Sequence, residues 1–440
     1  ERRNMKVKAK SFEAWKVIMI TLVFLSYCVG MMPGEKAQAV YDKYLDNGIF
    51  GMAFFFVLVG FGIGIHYHKK FINLNKKNYL EFLGKKLGIL YPLYMIMQTV
   101  FLILALCSHP GSQEIKTLIV KYIISIPMLQ AMIPKAGYYM ALNPVSWFVS
   151  AIFLIYLLAP VIGMLAARMK RDLKRSGLVI AGLIAVYIIV AGPLADAMVL
   201  KHDMPYLFLM NLILFCIGVW LANFRLNIRI ETDRSAGRNL LTGAELVVLV
   251  AAVLIYLGTV GKYGIPAALL RLLLYVLIVM VFSYDGGMIS HIFTLSPFGI
   301  LSSMVFDFYL TQYFVIRYIG TPIQKRFGDS GKDIVISIIL AYIINWCIVL
   351  VIKVIKKIYR KLHYRVSSFA GDLGTDGVVD DYLDDGYEEI RPISIRKLMT
   401  EAGWIQWQLR LQKRKMNRNK NETHMICNIQ SYVLVFYINI

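Results

Sequence analysis

Residues 49–66 read IFGMAFFFVLVGFGIGIH, a stretch with no acidic residue, lysine or arginine. At 1.5 Å per residue a helix of this length covers about 27 Å, close to the ~30 Å hydrocarbon layer of a bilayer. Inside that layer no water reaches the backbone N–H and C=O groups, and a helix is the open-chain structure that satisfies them within one segment. Comparable apolar runs occupy 17–33, 87–107, 144–167, 178–195, 205–222, 242–260, 265–283, 298–316 and 333–354, the first few being short. The stretch 117–133 is apolar too. Lys121 interrupts it and Pro127 and Pro134 break it, so it reads as re-entrant or interfacial. The expected fold is all-α, a polytopic membrane helix bundle with about ten transmembrane helices.

Composition agrees. Of 440 residues, 58% are hydrophobic and 17% charged, against roughly 45–50% and about 25% in soluble domains. The mean hydropathy is +0.60. Lys and Arg number 48 against 27 Asp and Glu, a net charge of +21. In so apolar a chain that excess marks cytoplasmic loops and anionic headgroups, and no nucleic-acid partner is expected. With the amino terminus inside, the cytoplasmic segments from Arg2 to Lys361 hold 26 basic residues and the outside loops hold 11. This asymmetry predicts a multi-pass protein of the plasma (cytoplasmic) membrane with both termini cytoplasmic. One loop departs from the rule: 284–296 should be cytoplasmic and carries no Lys or Arg. The first run lacks a following A-x-A cleavage site and is expected to stay as a helix. Five scattered cysteines without a C-x-x-C spacing argue against a disulfide framework and against zinc or iron–sulfur sites.

The domain boundaries follow from composition. Residues 1–16 form a basic cytoplasmic segment, 17–360 the transmembrane domain, and 361–440 a cytoplasmic tail. Within the tail, 371–389 hold eight acidic residues and no basic one, a solvated linker. Residues 391–420 are basic, with Trp404 and Trp407 among polar neighbours, a composition suited to lying on anionic lipid.

Several motifs recur in a telling order. Residues 53–61 read AFFFVLVGF and 85–94 read KKLGILYPLY. Residues 144–150, PVSWFVS, open a span that ends at Pro160, and FGILS at 298–302 is followed by YLTQ at 309–312. In this order, over about residues 11–360, the chain resembles the acyltransferase-three family of integral-membrane acyltransferases. The resemblance implies an enzyme that transfers acyl groups to hydroxyls of sugars, polysaccharides, lipids or antibiotics. It further implies a cytoplasmic acyl-coenzyme A donor, with no tightly bound cofactor. The polar family positions are altered, however. An Arg followed eleven residues later by a His becomes Lys16 and Tyr27. Val59 stands for the Ser of F-F-x-L-S-G-F, Ile89 for the Arg of R-I-Y-P-x-Y, and Gln312 for the His of Y-L-x-H. Acyl transfer needs a group to take the hydroxyl proton, and His suits because it titrates near neutrality. Tyr27, with an ordinary pKa near 10, is a donor at pH 7, and Gln312 does not titrate. Lys16 keeps the charge without the bidentate fork of Arg. It lies about 16 Å from Tyr27 on the same helix face, at the cytoplasmic edge.

Other candidates come from position. Arg271 and Asp307 are charges inside spans, about 9 and 13 Å below the outer edge, so antiparallel neighbours would let them pair. They serve either as a structural ion pair or as substrate-binding groups. Trp147 and Ser146 open span 4, where an anchor competes with a substrate contact, and Asn143 is expected to cap that helix. His66, His68, Lys69 and Lys70, with Lys85 and Lys86, are either interfacial topology markers or the phosphate contacts for coenzyme A. His66 and His68 point to different faces of a helix, so no metal site is expected. Gly60, Gly62 and Gly64 lie inside a span, where small residues let helices approach. Three readings stand. The first is a membrane O-acyltransferase acting on a glycan or lipid-linked acceptor, its interior lined by Lys16, Tyr27, Arg271, Asp307 and Gln312. The second is a catalytically silent binding or sensing relative. The third is a transporter of glycan or lipid intermediates.

Overall fold

The computed structural model describes residues 9–108, 111–169, 173–199, 207–228 and 235–371. The chain divides into two units after Gly374, and the second, 375–440, lies outside the described residues, as do residues 1–8. The expectations for the acidic linker and the basic tail therefore fall outside the described residues.

All regular structure among the described residues is helical. The helices are α1 (Phe12–Ser26), α2 (Gly34–Tyr44), α3 (Gly48–His66), α4 (His68–Ile72), α5 (Lys76–Cys107), α6 (Ser112–Ser125), α7 (Ala136–Tyr139), α8 (Ser146–Arg168) and α9 (Leu173–Val199). They continue with α10 (Leu207–Asn227), α11 (Ser235–Thr259), α12 (Ile265–Phe282), α13 (Met288–Phe293), α14 (Ser296–Ser302), α15 (Val305–Val315), α16 (Thr321–Phe327) and α17 (Gly331–Gly371). Eight helical segments are long and apolar enough to cross a membrane, and α14 with α15, bent by 64°, makes a ninth. The expected tenth is α1, which at 15 residues reaches only about 22 Å. We call the end of the bundle where α1 begins the near face and the opposite end the far face.

α3, the segment quoted first, is the centre of the bundle and packs on α1, α8, α10 and α12. Its closest partner is α10, which runs in the same direction. A Cβ at Gly60 would collide with the Phe215 carbonyl, one at Gly218 with the Val57 carbonyl, and one at Gly64 would lie 2.8 Å from the Val219 oxygen. Gly60 and Gly64 on one helix and Gly218 and Ala222 on the other thus form paired small-x-x-x-small stripes that bring the two backbones together. Gly62 faces open space. On its other side α3 meets α1 at Gly51, where a Cβ would stand 2.6 Å from the Met19 oxygen.

The basic-free loop 284–296 has a structural explanation. Asp285 accepts from the backbone N–H groups of Lys10 (2.6 Å) and Ser11 (3.0 Å), capping α1 from a distant part of the chain. Burial pushes its carboxyl above the usual range, against these hydrogen bonds, which pull it down. Glu245, fully buried on α11, accepts from Gly287 N–H at 3.1 Å, from Ile289 and Ser290 N–H at 3.0 Å, and from the Ser290 hydroxyl. The loop is therefore tied into the bundle by two carboxylates.

The glycine contact sets a test. Gly60→Leu and Gly218→Leu put a side chain against backbone, an overpacking that costs about 1–3 kcal/mol or more. Both are expected to abolish monodisperse protein in detergent gel filtration, whereas Gly62→Ala leaves yield and elution unchanged. Normal elution of Gly60→Leu would disprove the close approach.

Candidate functional site

The site begins where α1 ends. Tyr27 is the first residue past α1, half-buried, and its ring meets Tyr313 edge-on with centroids 6.1 Å apart. Its hydroxyl interacts with the Trp147 indole at the start of α8 and with the Tyr309 hydroxyl on α15. Tyr309 donates in turn to the Val145 carbonyl at 2.6 Å. Residues 309, 312 and 313 share one side of α15, since helical positions three and four apart are neighbours. Gln312 therefore lies on the side of α15 turned to Tyr27.

Gln312 is fully buried, and neither its amide nitrogen nor its amide oxygen has a hydrogen-bond partner. Each such buried group costs about 1–3 kcal/mol when left unmade. Asn345, Thr311 and Asn143 close by are bonded, and Gln98 Nε2 and Gln130 Oε1 are single unpartnered atoms, whereas Gln312 lacks a partner at both ends of its amide. Asn345 on α17 donates to the Phe308 carbonyl at 3.1 Å and accepts from the Thr311 hydroxyl at 2.8 Å. Asn143 donates to the Leu310 carbonyl at 3.1 Å. The Gln312 amide thus presents a donor and an acceptor that the surrounding fold leaves unused.

The rest of the far half is a lattice of uncharged polar groups. α6 runs back beside α5 as far as Tyr94, whose hydroxyl donates to the Ser125 carbonyl at 2.8 Å and accepts from Gln130 at 2.7 Å. Residues 117–133 thus lie against α5 and α8. Ser150 donates to the Met128 carbonyl at 2.6 Å and accepts from Ala131 N–H at 3.0 Å, while Gln98 accepts from Asn143 N–H at 3.2 Å. Met128 and Ala141 hold left-handed φ values of 55° and 54°. Strain of this kind persists where surrounding contacts over-determine it, as at functional sites. Beyond Gln312 the chain makes a π-turn at Ile316–Gly320, another feature frequent beside sites.

The five residues expected to line one interior do not converge. Tyr27 meets Trp147, Tyr309 and Tyr313, and Gln312 lies one turn from Tyr309 on the same helix. Lys16 is half-buried three turns earlier on α1. Asp307 does not pair with Arg271. It pairs with Lys356 of α17 at 2.7 and 2.9 Å, beside Lys353, which donates to the Ser303 hydroxyl at 2.9 Å. The reason is the elbow between α14 and α15: α15 begins only at Val305, so Asp307 sits in its first turn, toward the near face. Arg271 stays near the far face, where it donates to the Thr259 carbonyl at 2.7 Å and to that of Lys262. Ser146 is fully buried and donates to the Met140 carbonyl at 3.3 Å, closing the turn before α8. Asn143 does not cap α8; the N-cap position is Val145, whose N–H it meets at 3.4 Å.

The basic cluster of the near face is only partly open. His66 is exposed and bonds the Gly62 carbonyl at 2.9 Å, and Lys70 is exposed. Lys85 pairs with Glu81 at 3.2 Å. Lys86 sits 5.5–5.8 Å from the ring centres of Tyr67, Phe82 and Tyr156, a cation–π cage. The side chains of His68 and Lys69 lie outside the described residues. Sequence reasoning missed Gln98, Gln130, Asn345 and Lys356. The available signal was the presence of side-chain amides inside apolar runs.

The unused amide makes a stability prediction. Gln312→Met should leave thermal stability in detergent unchanged or raise it, whereas Asn345→Leu, which removes the bonds from α17 to Thr311 and to the Phe308 carbonyl, should cost about 1–3 kcal/mol. Equal losses would mean that Gln312 is satisfied. Compared with known proteins, residues 10–355 match the acyltransferase-three family model, described as an acyltransferase domain. No curated protein and no solved structure matches the chain. A match of this extent, with helices long and apolar enough to cross a membrane, makes the chain a multi-pass membrane member of the acyltransferase-three family.

Proposed function

We propose that the chain is a membrane O-acyltransferase that moves an acyl group of acetyl size from acyl-coenzyme A to a hydroxyl of a glycan or lipid-linked acceptor. The observation that carries this reading is Gln312. It stands at the histidine position of Y-L-x-H, buried on the helix whose Tyr309 and Tyr313 meet Tyr27, with both amide atoms unused. Its N–H can donate to the thioester carbonyl as negative charge builds on that oxygen, and its C=O can accept from the acceptor hydroxyl. The acceptor oxygen bonds to the acyl carbon, the C–S bond breaks, and the hydroxyl proton ends on the departing sulfur. The Tyr27 phenol acts as relay, giving its proton to sulfur while taking one from the acceptor. The basic excess of the near face supports a cytoplasmic position for it, with both termini there. Exposed His66 and Lys70, beside Lys85, His68 and Lys69, support contacts to the coenzyme A phosphates, while Lys86 is held by its aromatic cage.

A second reading, a binding or sensing relative that does not turn over, is favoured by one observation. Trp147, Tyr309 and Tyr313 meet Tyr27, and none of them is a histidine or a carboxylate.

Radiolabelled acetyl-coenzyme A and a mixed glycan pool, with the full purified chain, separate the two. Gln312→His supplies a base and should raise transfer by about 100-fold or more. Its rate should rise with pH through roughly 6.5, because the neutral imidazole is the active form. Tyr27→Phe should lower transfer. Saturable acetyl-coenzyme A binding with no transfer by either the unmodified chain or Gln312→His would establish the second reading. No binding at all would refute both.

A further inference from the structure

Arg271 is a charge that the fold buries without an ionic partner. It lies in the second turn of α12, near the far face, 4% exposed. Its Nη2 donates to the Thr259 and Lys262 carbonyls at the end of α11. Its Nε is sealed from solvent and has no partner. Among the described residues no carboxylate forms an ion pair with it. Three phenols face it, and each is a neutral group: Tyr275 donates to the Phe50 carbonyl at 2.8 Å, Tyr263 to Asp46 at 3.3 Å, and Tyr187 is buried on α9. A guanidinium does not lose its proton in a protein, so burial cannot neutralise it as it would a lysine. Two carbonyls satisfy part of its hydrogen bonding and none of its charge, and an uncompensated buried charge is strongly destabilising.

The surroundings define the missing group. Lys262, whose carbonyl Arg271 holds, carries an exposed ammonium at the same corner, and Leu270 and Leu273 on α12 are exposed apolar residues of the kind that face lipid. A forked guanidinium, a flexible ammonium and an adjoining apolar surface at headgroup depth together suit a phosphate oxyanion. We propose that Arg271, with Lys262, binds a phosphate group at the far face, supplied by a phospholipid headgroup or by free phosphate. This site is separate from the Tyr27–Gln312 cluster and does not depend on the acyl-transfer reading.

The test uses the full chain, stripped of lipid in neutral detergent. Thermal unfolding is followed with inorganic phosphate, with phosphatidylglycerol micelles, and with diacylglycerol micelles as the phosphate-free control. The unmodified chain should gain roughly 2 °C or more in at least one phosphate arm and nothing from diacylglycerol. The arm that responds identifies the source. Lys325→Met, which removes another exposed lysine, should keep the gain, Arg271→Met should lose it, and Arg271→Lys should keep a reduced part. Native mass spectrometry of the unmodified chain should show a one-to-one phosphate or phosphatidylglycerol adduct, a readout that stands even where Arg271→Met does not fold. Absence of that adduct, no gain in either phosphate arm, or an undiminished gain in a folded Arg271→Met would overturn the proposal.

Discussion

Where α3 and α10 meet, the Phe215 carbonyl occupies the space a Cβ of residue 60 would need, and the Val57 carbonyl that of residue 218. In lipid there is little hydrophobic force between helices, so association rests on how closely their surfaces approach. Two backbones in contact over two turns give α3 a fixed place, and three other helices lean on it. Among these are α1 and α8. The end of α1 carries Tyr27 and the start of α8 carries Trp147, so the meeting of these two side chains rests on both helices packing against one immobile partner. A small displacement of α3 would separate them before it disturbed any residue of the site itself.

Around that axis the far half is held by uncharged hydrogen bonds. Tyr309 to Val145, Asn143 to Leu310 and Asn345 to Phe308 each join side chains to backbone carbonyls of another segment, which fixes both partners. Such a network stabilises only while its members are satisfied. Gln312 stands inside it with nothing to bond. A fold that supplies partners to Asn143, Thr311 and Asn345 and withholds them from the residue between has kept a place for something else.

Much of this was legible in the sequence and part was not, for identifiable reasons. The spans were legible because backbone desolvation makes length and apolarity nearly sufficient; α1 fell short because its apolar run breaks at Tyr27 into a 3₁₀ turn over Cys28–Met31. The family itself was legible because motif order carries across its members, and residues 10–355 match it. The packing role of Gly60 and Gly64 followed from spacing, yet spacing could not say that Gly62 faces away. The pairing of Arg271 with Asp307 failed because depth was counted along a straight span, and the 64° elbow moved Asp307 beside Lys356. The polar lattice was hidden because its bonds join residues far apart in the chain, such as Asn143 and Leu310, and no local pattern encodes such a pair.

The elbow and the basic-free loop share one cause. Four ionic side chains are buried among the described residues, and each is met differently: Asp307 by the ammonium of Lys356, Glu245 by three backbone N–H groups, Arg225 by the Ser283 hydroxyl, two carbonyls and the face of Tyr284, and Arg271 by carbonyls alone. The first fixes α15 against α17 just past the bend. The second fixes the loop 284–296, so that loop is retained by internal bonds and has no need of lysines to hold it at the headgroups. In both cases the opposing group comes from the protein, and the local backbone is immobile as a result. Arg271 departs from this pattern. Its carbonyl partners close the turn between α11 and α12, which accounts for its position but leaves its charge unanswered. Arg225 also lacks a carboxylate but has the Ser283 hydroxyl and the Tyr284 ring, so Arg271 is the buried charge that the described chain compensates least, and this is the ground for proposing an anion at the far face.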